Sequence, residues 1–206
     1  MNNTNKRGIL ILALGHPQYG RMAANLAASI RYNNAELPIH LVYSGKALDH
    51  LTAAHKALFT SMANCPAAYY TQHNKADYFK AKTYLYELSP FEETLYLDCD
   101  LLLYSKTNLA NLLLNLSMAG DFDMQSRGYT AMDTLHTYGH YTHWCNPADV
   151  KNLYGISAGR FYQLSSELVF FKKTPTLKRF FESVQDLYAA PGVPTPAFAG
   201  SISDEL

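Results

Sequence analysis

The sequence has no excess of either charge, because its 17 Lys and Arg residues balance its 17 Asp and Glu residues. A surface that binds nucleic acid needs basic side chains in excess, so this balance argues against a nucleic-acid partner. Cysteine is scarce as well, and the three residues Cys65, Cys99 and Cys145 show no CxxC spacing. They indicate reduced thiols and not a disulfide framework.

Long hydrophobic runs are also missing. The run GILILALG at residues 8–15 is far shorter than the roughly 20 residues that cross a bilayer. HPQYG follows it where a signal peptide would carry a small-residue cleavage site, which favours a buried first strand. We therefore expect a soluble, cytoplasmic protein without a signal peptide or a transmembrane segment.

The chain does contain an alternation of apolar runs and amphipathic segments, which predicts an α/β fold of three layers with a mainly parallel central sheet. Ligands of such sheets bind beyond the carboxyl ends of the strands. The predicted strands cover residues 8–14, 37–45, 94–104 and 165–173, and the predicted helices cover residues 16–34, 46–62, 74–90, 106–116 and 174–190.

Two carboxylates, Asp98 and Asp100, interrupt the apolar stretch ETLYLDCDLLLYS at residues 93–105. Residues i and i+2 of an extended chain point the same way, so we expect both carboxylates to face one spot. Two buried carboxylates require a cation. The spacing alone leaves open a metal-binding pair and a strand end at which two acids are exposed.

Other site types fit the sequence less well. An EF-hand is excluded, because leucines occupy residues 101–103, where its ligands and central glycine belong. A dinucleotide-binding site is disfavoured because no GxGxxG follows either early strand. A second DxD, formed by Asp121 and Asp123, follows Gly120 and is interpreted as the start of a strand.

The stretch KAKTYLYELSPFEETLYLDCDLLLY at residues 80–104 resembles GT-A glycosyltransferases, especially the branch of glycogenin and the lipopolysaccharide galactosyltransferases. Lys82 stands sixteen residues before Asp98, as a lysine does in that branch, and ILALGHPQYGRMAANLAASI is similar to its first strand, loop and helix. The resemblance implies a single GT-A domain over residues 1–206. Its nucleotide-sugar-binding half would reach to about residue 105, and its acceptor half would begin near residue 106.

The resemblance also implies a chemistry. In that family a DxD binds Mn²⁺ or Mg²⁺, which bridges the diphosphate of a nucleotide sugar, most often a UDP-sugar. By resemblance Asp100 is the stronger metal ligand, and Asp98 is shared between the metal and the ribose. Lys82 would help the ion to stabilise the charge that the leaving diphosphate gains.

Further donor contacts are assigned to Ala13 and Tyr19, which would meet the base and ribose, and to Arg127. In the region of the family's Asn-rich strand motif this chain has SSE at residues 165–167. In SISDEL, residues 201–206, Asp204 stands in the position of the family's Asp, which makes it the expected catalytic carboxylate. The chain ends before the family's HxxGxxKPW-like segment, whose His is the third metal ligand there. Either water and phosphate would complete the metal shell, or another part of a longer polypeptide would.

The stretch LHTYGHYTHWCNP at residues 135–147 allows two interpretations. Three histidines on one helical face near a cysteine suggest zinc, but Gly139 weakens such a helix and the spacing matches no standard finger. We favour an acceptor loop whose aromatic rings contact a sugar. The zinc candidates are His136, His140, His143 and Cys145, and the aromatic residues are Tyr138, Tyr141 and Trp144.

The sequence is therefore interpreted as a metal-dependent glycosyltransferase that moves a sugar from a UDP-sugar to a carbohydrate or glycan acceptor. A nucleotidyltransferase that makes sugar nucleotides is the first alternative, although LGHPQYGR lacks its glycine-rich, basic loop. A non-catalytic nucleotide-sugar-binding module of a larger protein is the second.

Overall fold

The computed structural model of the chain describes residues 6–104, 106–139 and 147–190. The strands in these ranges are β1 (Arg7–Ala13), β2 (Ile39–Tyr43), β3 (Ser61–Asn64), β4 (Thr71–Gln72), β5 (Lys75–Ala76), β6 (Glu93–Asp98), β7 (Phe122–Ala131), β8 (His136–Gly139) and β9 (Arg160–Lys172). The α-helices are α1 (Pro17–Asn33), α2 (Ala53–Lys56), α3 (Leu85–Leu88), α4 (Leu109–Ala119), α5 (Pro147–Tyr154) and α6 (Pro175–Ala189).

The described residues fall into two compact units, residues 6–123 with 167–189 and residues 124–166 with 190. In the first unit the strands lie in the order β3-β2-β1-β6-β9. Three of these four pairings are parallel, and only that of β6 with β9 is antiparallel. The predicted α/β fold with a mainly parallel sheet is confirmed. The second unit contains the strand order β9-β7-β8, in which β7 and β8 are antiparallel.

Strand β1 forms the centre of the first unit because its side chains are apolar on both faces. Ile9, Leu10 and Ile11 have no exposed surface, as expected for a strand covered on both sides. Helix α1, within the predicted helix at residues 16–34, packs on it through the buried side chains of Leu26 and Ile30. The continuous apolar run of residues 8–14 predicted β1, and Pro17 with apolar residues spaced by four predicted α1, so both predictions are confirmed.

Two predicted helices are largely wrong. Within residues 46–62 only α2 is α-helical, and residues from Ser61 onward form β3, which pairs with β2. Within residues 74–90 a 3₁₀ helix, Phe79–Tyr84, precedes the one-turn α3. Non-local strand pairing overrode the helical pattern in the first case. In the second, aromatic and β-branched residues are weak helix formers.

Strand β6 ends at Asp98 and not near Tyr104, which corrects the predicted bounds. The N–H of Leu101 donates to the carbonyl of Asp98 at 3.2 Å, so a turn carries Cys99 and Asp100. The extended backbone that was expected to direct both carboxylates the same way therefore ends before Asp100. They are neighbours across a strand-to-turn junction.

Helix α6 lies within the predicted helix at residues 174–190, and the hydroxyl of Thr174 caps it by accepting a hydrogen bond from the N–H of Leu177 at 3.3 Å. Helix α4 was also predicted, and Asn108 caps it through a bond from the N–H of Asn111 at 3.0 Å. Among the helices of the described ranges, none combines the length and apolar character that a membrane span requires.

Candidate functional site

The candidate site lies where three parallel strands of the first unit end together. Leu12 of β1 pairs with Asp98 of β6, and Ala13 pairs with Tyr43 of β2. The carboxyl ends of these strands are therefore level with each other. This is the edge at which open α/β sheets bind their ligands.

The loops that follow β1 and β2 are tied to each other at this edge. The N–H of Gly15 lies 3.2 Å from both the carbonyl oxygen and the Oγ of Ser44. Gly15 has a φ of +80°, and a Cβ there would lie 2.6 Å from the ring of Tyr78. Only glycine allows this backbone conformation and this close approach. The loop is therefore built as a glycine turn between a strand and the start of α1.

Asp98 is a mostly buried carboxylate, and both of its oxygens have partners. Its Oδ2 lies 2.8 Å from the Nζ of Lys82, in an ion pair whose side chains are only 15% and 18% exposed. Its Oδ1 accepts a hydrogen bond from the hydroxyl of Tyr96. The ammonium of Lys82 also lies 5.9 Å from the centroid of the Tyr96 ring. The side chain of Lys82 is thus mostly buried, with a carboxylate as its partner.

Tyr96 was not among the residues singled out from the sequence. Burial, and then the negative charge of Asp98, raise the pKa of its phenol well above the ordinary value. At neutral pH the phenol is therefore protonated and can donate a hydrogen bond. The signal was available in principle, since residues i and i+2 of a strand share a face and Tyr96 precedes Asp98 by two.

Asp100 has a different environment. Its side chain is exposed in the turn after β6. Partial loss of solvation and the charge of Asp98 raise its pKa above the usual range, while a bond from its own backbone N–H and the charge of Lys82 oppose that rise. The two carboxylates are close enough to repel each other, and Lys82 balances only one of the two charges.

A divalent cation fits this arrangement, because carboxylate oxygens are the ligands of hard cations and a negative charge is left over. Cys99 lies between the two acids, and burial and their charges raise the pKa of its thiol to about 12, so it is a neutral thiol in the protein alone. Within the part of the chain that the structure describes, no group of three or more His, Cys, Asp or Glu side chains is placed to hold a metal. Water or phosphate oxygens would have to supply the remaining ligands.

The other predicted donor contacts occupy varied positions. Ala13 is fully buried at the end of β1, and its carbonyl accepts a hydrogen bond from the N–H of Ser44 at 3.2 Å. Tyr19 is half-buried against the core of the first unit. Arg127 is half-buried on β7, in the second unit. The predicted catalytic residue, Asp204, lies outside the described residues, and these four assignments stay predictions.

The zinc interpretation of residues 135–147 loses part of its basis. His136 begins strand β8, which extends to Gly139, so the helix that would align the histidines does not form there. The other three candidates, His140, His143 and Cys145, lie outside the described residues.

The acceptor interpretation of the same stretch rested partly on the ring of Tyr138. Tyr138 lies opposite Tyr129 in the register of β7 and β8, and the two rings stack with centroids 4.9 Å apart. The guanidinium of Arg160 is 4.6 Å from the centroid of Tyr129. One face of Tyr138 is thus already used by a neighbouring ring. Tyr141 and Trp144 lie outside the described residues.

Comparison with known proteins identifies the fold. No family model matches the sequence, and no curated protein matches it. Among solved structures the chain is similar to the mannosyltransferase Ktr4p from S. cerevisiae, with a TM-score of 0.55, 9% identity, and coverage of 90% of this chain and 62% of that one. It is similar to the bifunctional glycosyltransferase WbbM, with a TM-score of 0.54, 11% identity, and coverage of 90% and 35%.

Core-mannan synthase A from Aspergillus fumigatus, solved in a form with Mn and GDP, is a further similar structure. Its TM-score is 0.50 at 6% identity, with coverage of 87% of this chain and 64% of that one. The chain thus spans less than two thirds of each of these three proteins. At such identities the likeness concerns the fold, and it confirms the predicted GT-A architecture.

Proposed function

We propose that this chain belongs to a metal-dependent glycosyltransferase that moves a sugar from a nucleotide sugar to a carbohydrate or glycan acceptor. The observation that carries the proposal is the pairing of Lys82 with Asp98 at the carboxyl end of β6, 2.8 Å apart. An ammonium and two carboxylates meet at the ligand-binding edge of a GT-A sheet. That is the set of groups needed to hold a divalent ion and a diphosphate.

Each group has a part in the proposed reaction. Asp98 and Asp100 hold the cation, and a bound Mn²⁺ or Mg²⁺ supplies positive charge to the leaving diphosphate. The ammonium of Lys82 leaves Asp98 and contacts a phosphate oxygen of the donor. There it compensates the negative charge that develops on the diphosphate as the bond between the sugar and the diphosphate breaks. The ion pair with Asp98 keeps Lys82 in place before the donor arrives.

The donor is proposed to be a UDP-sugar, with Ala13, Tyr19 and Arg127 among its contacts. Ktr4p has also been solved in complex with GDP, at a TM-score of 0.54 to this chain, and core-mannan synthase A has been solved with Mn and GDP. GDP-sugars therefore belong in any test of donor choice. The acceptor is proposed to bind in the part of the chain after residue 105.

The test is a turnover assay. The wild-type protein is incubated with Mn²⁺ and a panel of UDP- and GDP-sugars, with and without simple saccharide acceptors, and the nucleoside diphosphate released is quantified. We expect release from at least one donor and a loss of at least about 100-fold in Asp100→Asn. The exposed Lys178→Ala variant, which removes only an ion pair with Glu182 on α6, serves as the control.

The assay also separates the alternatives. Binding of a nucleotide sugar without turnover by folded protein would contradict the enzyme proposal and favour a non-catalytic module. If turnover occurs, Asp204→Asn tests the proposed catalytic carboxylate. We expect that variant to keep donor affinity while losing turnover, and unchanged turnover would exclude Asp204.

A further inference from the structure

The hydroxyl of Tyr96 contacts Asp98, although the proposed function assigns Tyr96 no part. Tyr96 is only 1% exposed and lies on β6 two residues before Asp98, so both side chains occupy the same face of the strand. A buried phenol needs a hydrogen-bond partner. The partner of Tyr96 is Oδ1 of Asp98, a carboxylate of the candidate metal site.

We propose that Tyr96 is the positioning residue of Asp98, an inference that rests on the proposed function. Its hydroxyl fixes Oδ1 and orients the carboxylate, and it leaves Oδ2 as the oxygen that changes partner. Oδ2 contacts Lys82 in the protein alone and becomes available to the metal ion or the ribose when Lys82 turns to the diphosphate.

The two partners of Asp98 differ in their freedom to move. Lys82 lies on the 3₁₀ segment Phe79–Tyr84, and a flexible chain of four carbons carries its ammonium. The ammonium can therefore shift to another anion. The ring of Tyr96 is enclosed in the core, and its hydroxyl cannot follow. Oδ1 of Asp98 therefore has a fixed donor, the hydroxyl of Tyr96, and Oδ2 has an exchangeable donor, the ammonium of Lys82.

The hydrogen bond from Tyr96 also lowers the free-energy cost to Asp98 when Lys82 moves to the diphosphate. A mostly buried carboxylate that loses its ammonium partner would be left poorly compensated. The bond from Tyr96 persists during the exchange and gives Asp98 one charge-assisted hydrogen bond throughout. Groups in the second coordination shell that orient a ligand in this way strengthen metal binding.

A purely structural role is the competing explanation, and the chain offers a matched control for it. The hydroxyl of Tyr188 donates to Oδ2 of Asp77 at 2.9 Å, which is also a phenol–carboxylate bond of the first unit. Replacement of either tyrosine by Phe removes one hydroxyl and keeps the ring. The two variants thus differ in whether the carboxylate belongs to the candidate metal site.

The experiment measures Mn²⁺ affinity by electron paramagnetic resonance, and UDP and GDP affinity by calorimetry with and without Mn²⁺. For Tyr96→Phe we expect Mn²⁺ and Mn²⁺-dependent nucleotide affinity to fall about tenfold. Nucleotide affinity without metal should stay within about twofold of wild type. Tyr188→Phe should change none of these by more than about twofold, even if it lowers the melting temperature.

Equal losses with and without metal in Tyr96→Phe, or no loss at all, would overturn the positioning role. A double-mutant cycle adds a second check, because in an Asp98→Ala background, which removes the acceptor of the Tyr96 hydroxyl, the Tyr96→Phe change should have no further effect on Mn²⁺ affinity. Additive effects would contradict the proposal.

A wild type that binds Mn²⁺ but no nucleotide would contradict the proposed function and leave the Mn²⁺ comparison decisive for Tyr96. A wild type that binds neither would overturn both.

Discussion

Asp98 and Asp100 are separated by one residue, yet their environments are opposite. Asp98 is mostly buried and has a donor on each oxygen, Lys82 and Tyr96. Asp100 is exposed, and the charge of Asp98 disfavours its ionised form. The sequence predicted that both residues belong to one site, because acids within an apolar run are costly. It could not show that the strand ends between them, whereas the spacing of two residues between Tyr96 and Asp98 did indicate a shared face of the strand.

Asp100→Asn should stabilise the protein in the absence of metal, because it removes the repulsion between the two carboxylates. For a surface charge of this kind we expect a gain in melting temperature of about 1–3 °C at pH 7 and low salt. Thermal unfolding in the presence of EDTA measures it. The exposed Asp49→Asn variant is the control and should change the melting temperature by less than about 1 °C. A lower melting temperature for Asp100→Asn would contradict a repulsive pair.

Among the helices and strands, the sequence predicted those whose pattern is local. It missed those that form only by pairing with a strand distant in the sequence. Strand β1, helix α1 and helix α6 follow from apolar runs, periodicity and caps. Strand β3 does not, because it forms by pairing with β2, and nothing local in residues 61–64 indicates that pairing. The one-turn elements between β3 and β6 depend in the same way on contacts made elsewhere.

The contact between α1 and the loop after β2 gives a prediction at this scale. A Cβ on Gly20 would lie 1.8 Å from the carbonyl oxygen of Ala47, a backbone atom that cannot move independently. We expect Gly20→Ala to destabilise the protein by about 1–3 kcal/mol, although Ala is the better helix former by about 1 kcal/mol. Urea unfolding measures the difference.

Gly120→Ala is the matched control for this substitution. Gly120 ends α4 with an extended φ of 177°, and the nearest atom to an added Cβ is 4.0 Å away. The change should alter the free energy of unfolding by less than about 0.5 kcal/mol. Equal effects of the two substitutions would contradict the close approach of α1 to the loop at Ala47.

At the scale of the whole molecule, an ion pair joins the start of β1 to the start of β6. Arg7 and Glu93 are register partners, and the guanidinium of Arg7 bonds the carboxylate of Glu93. Burial alone would raise the pKa of Glu93, but bonds from Arg7 and Ser117, with the charges of Arg7 and Lys6, outweigh it and lower the pKa. The pair therefore makes the sheet more stable when Glu93 is ionised.

The pH dependence follows from that direction. Because the pKa of Glu93 is lower in the folded state, its contribution is fully present above the unfolded pKa of about 4.3 and is lost as pH falls through the folded pKa. At pH 7 we expect Glu93→Gln to lower the free energy of unfolding by about 1–3 kcal/mol. Urea unfolding from pH 7 to pH 3 should show the difference shrinking below pH 5. A difference that stays constant over this range would contradict the linkage.

The proposed function requires that the carboxylates and Lys82 at the end of β6 bind a nucleotide together with a metal ion. The most direct measurement is isothermal titration of UDP and of GDP into the wild-type protein, with and without Mn²⁺. We predict binding of at least one of them that requires Mn²⁺ and is lost in Asp100→Ala. No binding of either nucleotide to folded protein, or binding that is indifferent both to Mn²⁺ and to Asp100→Ala, would contradict the proposed function.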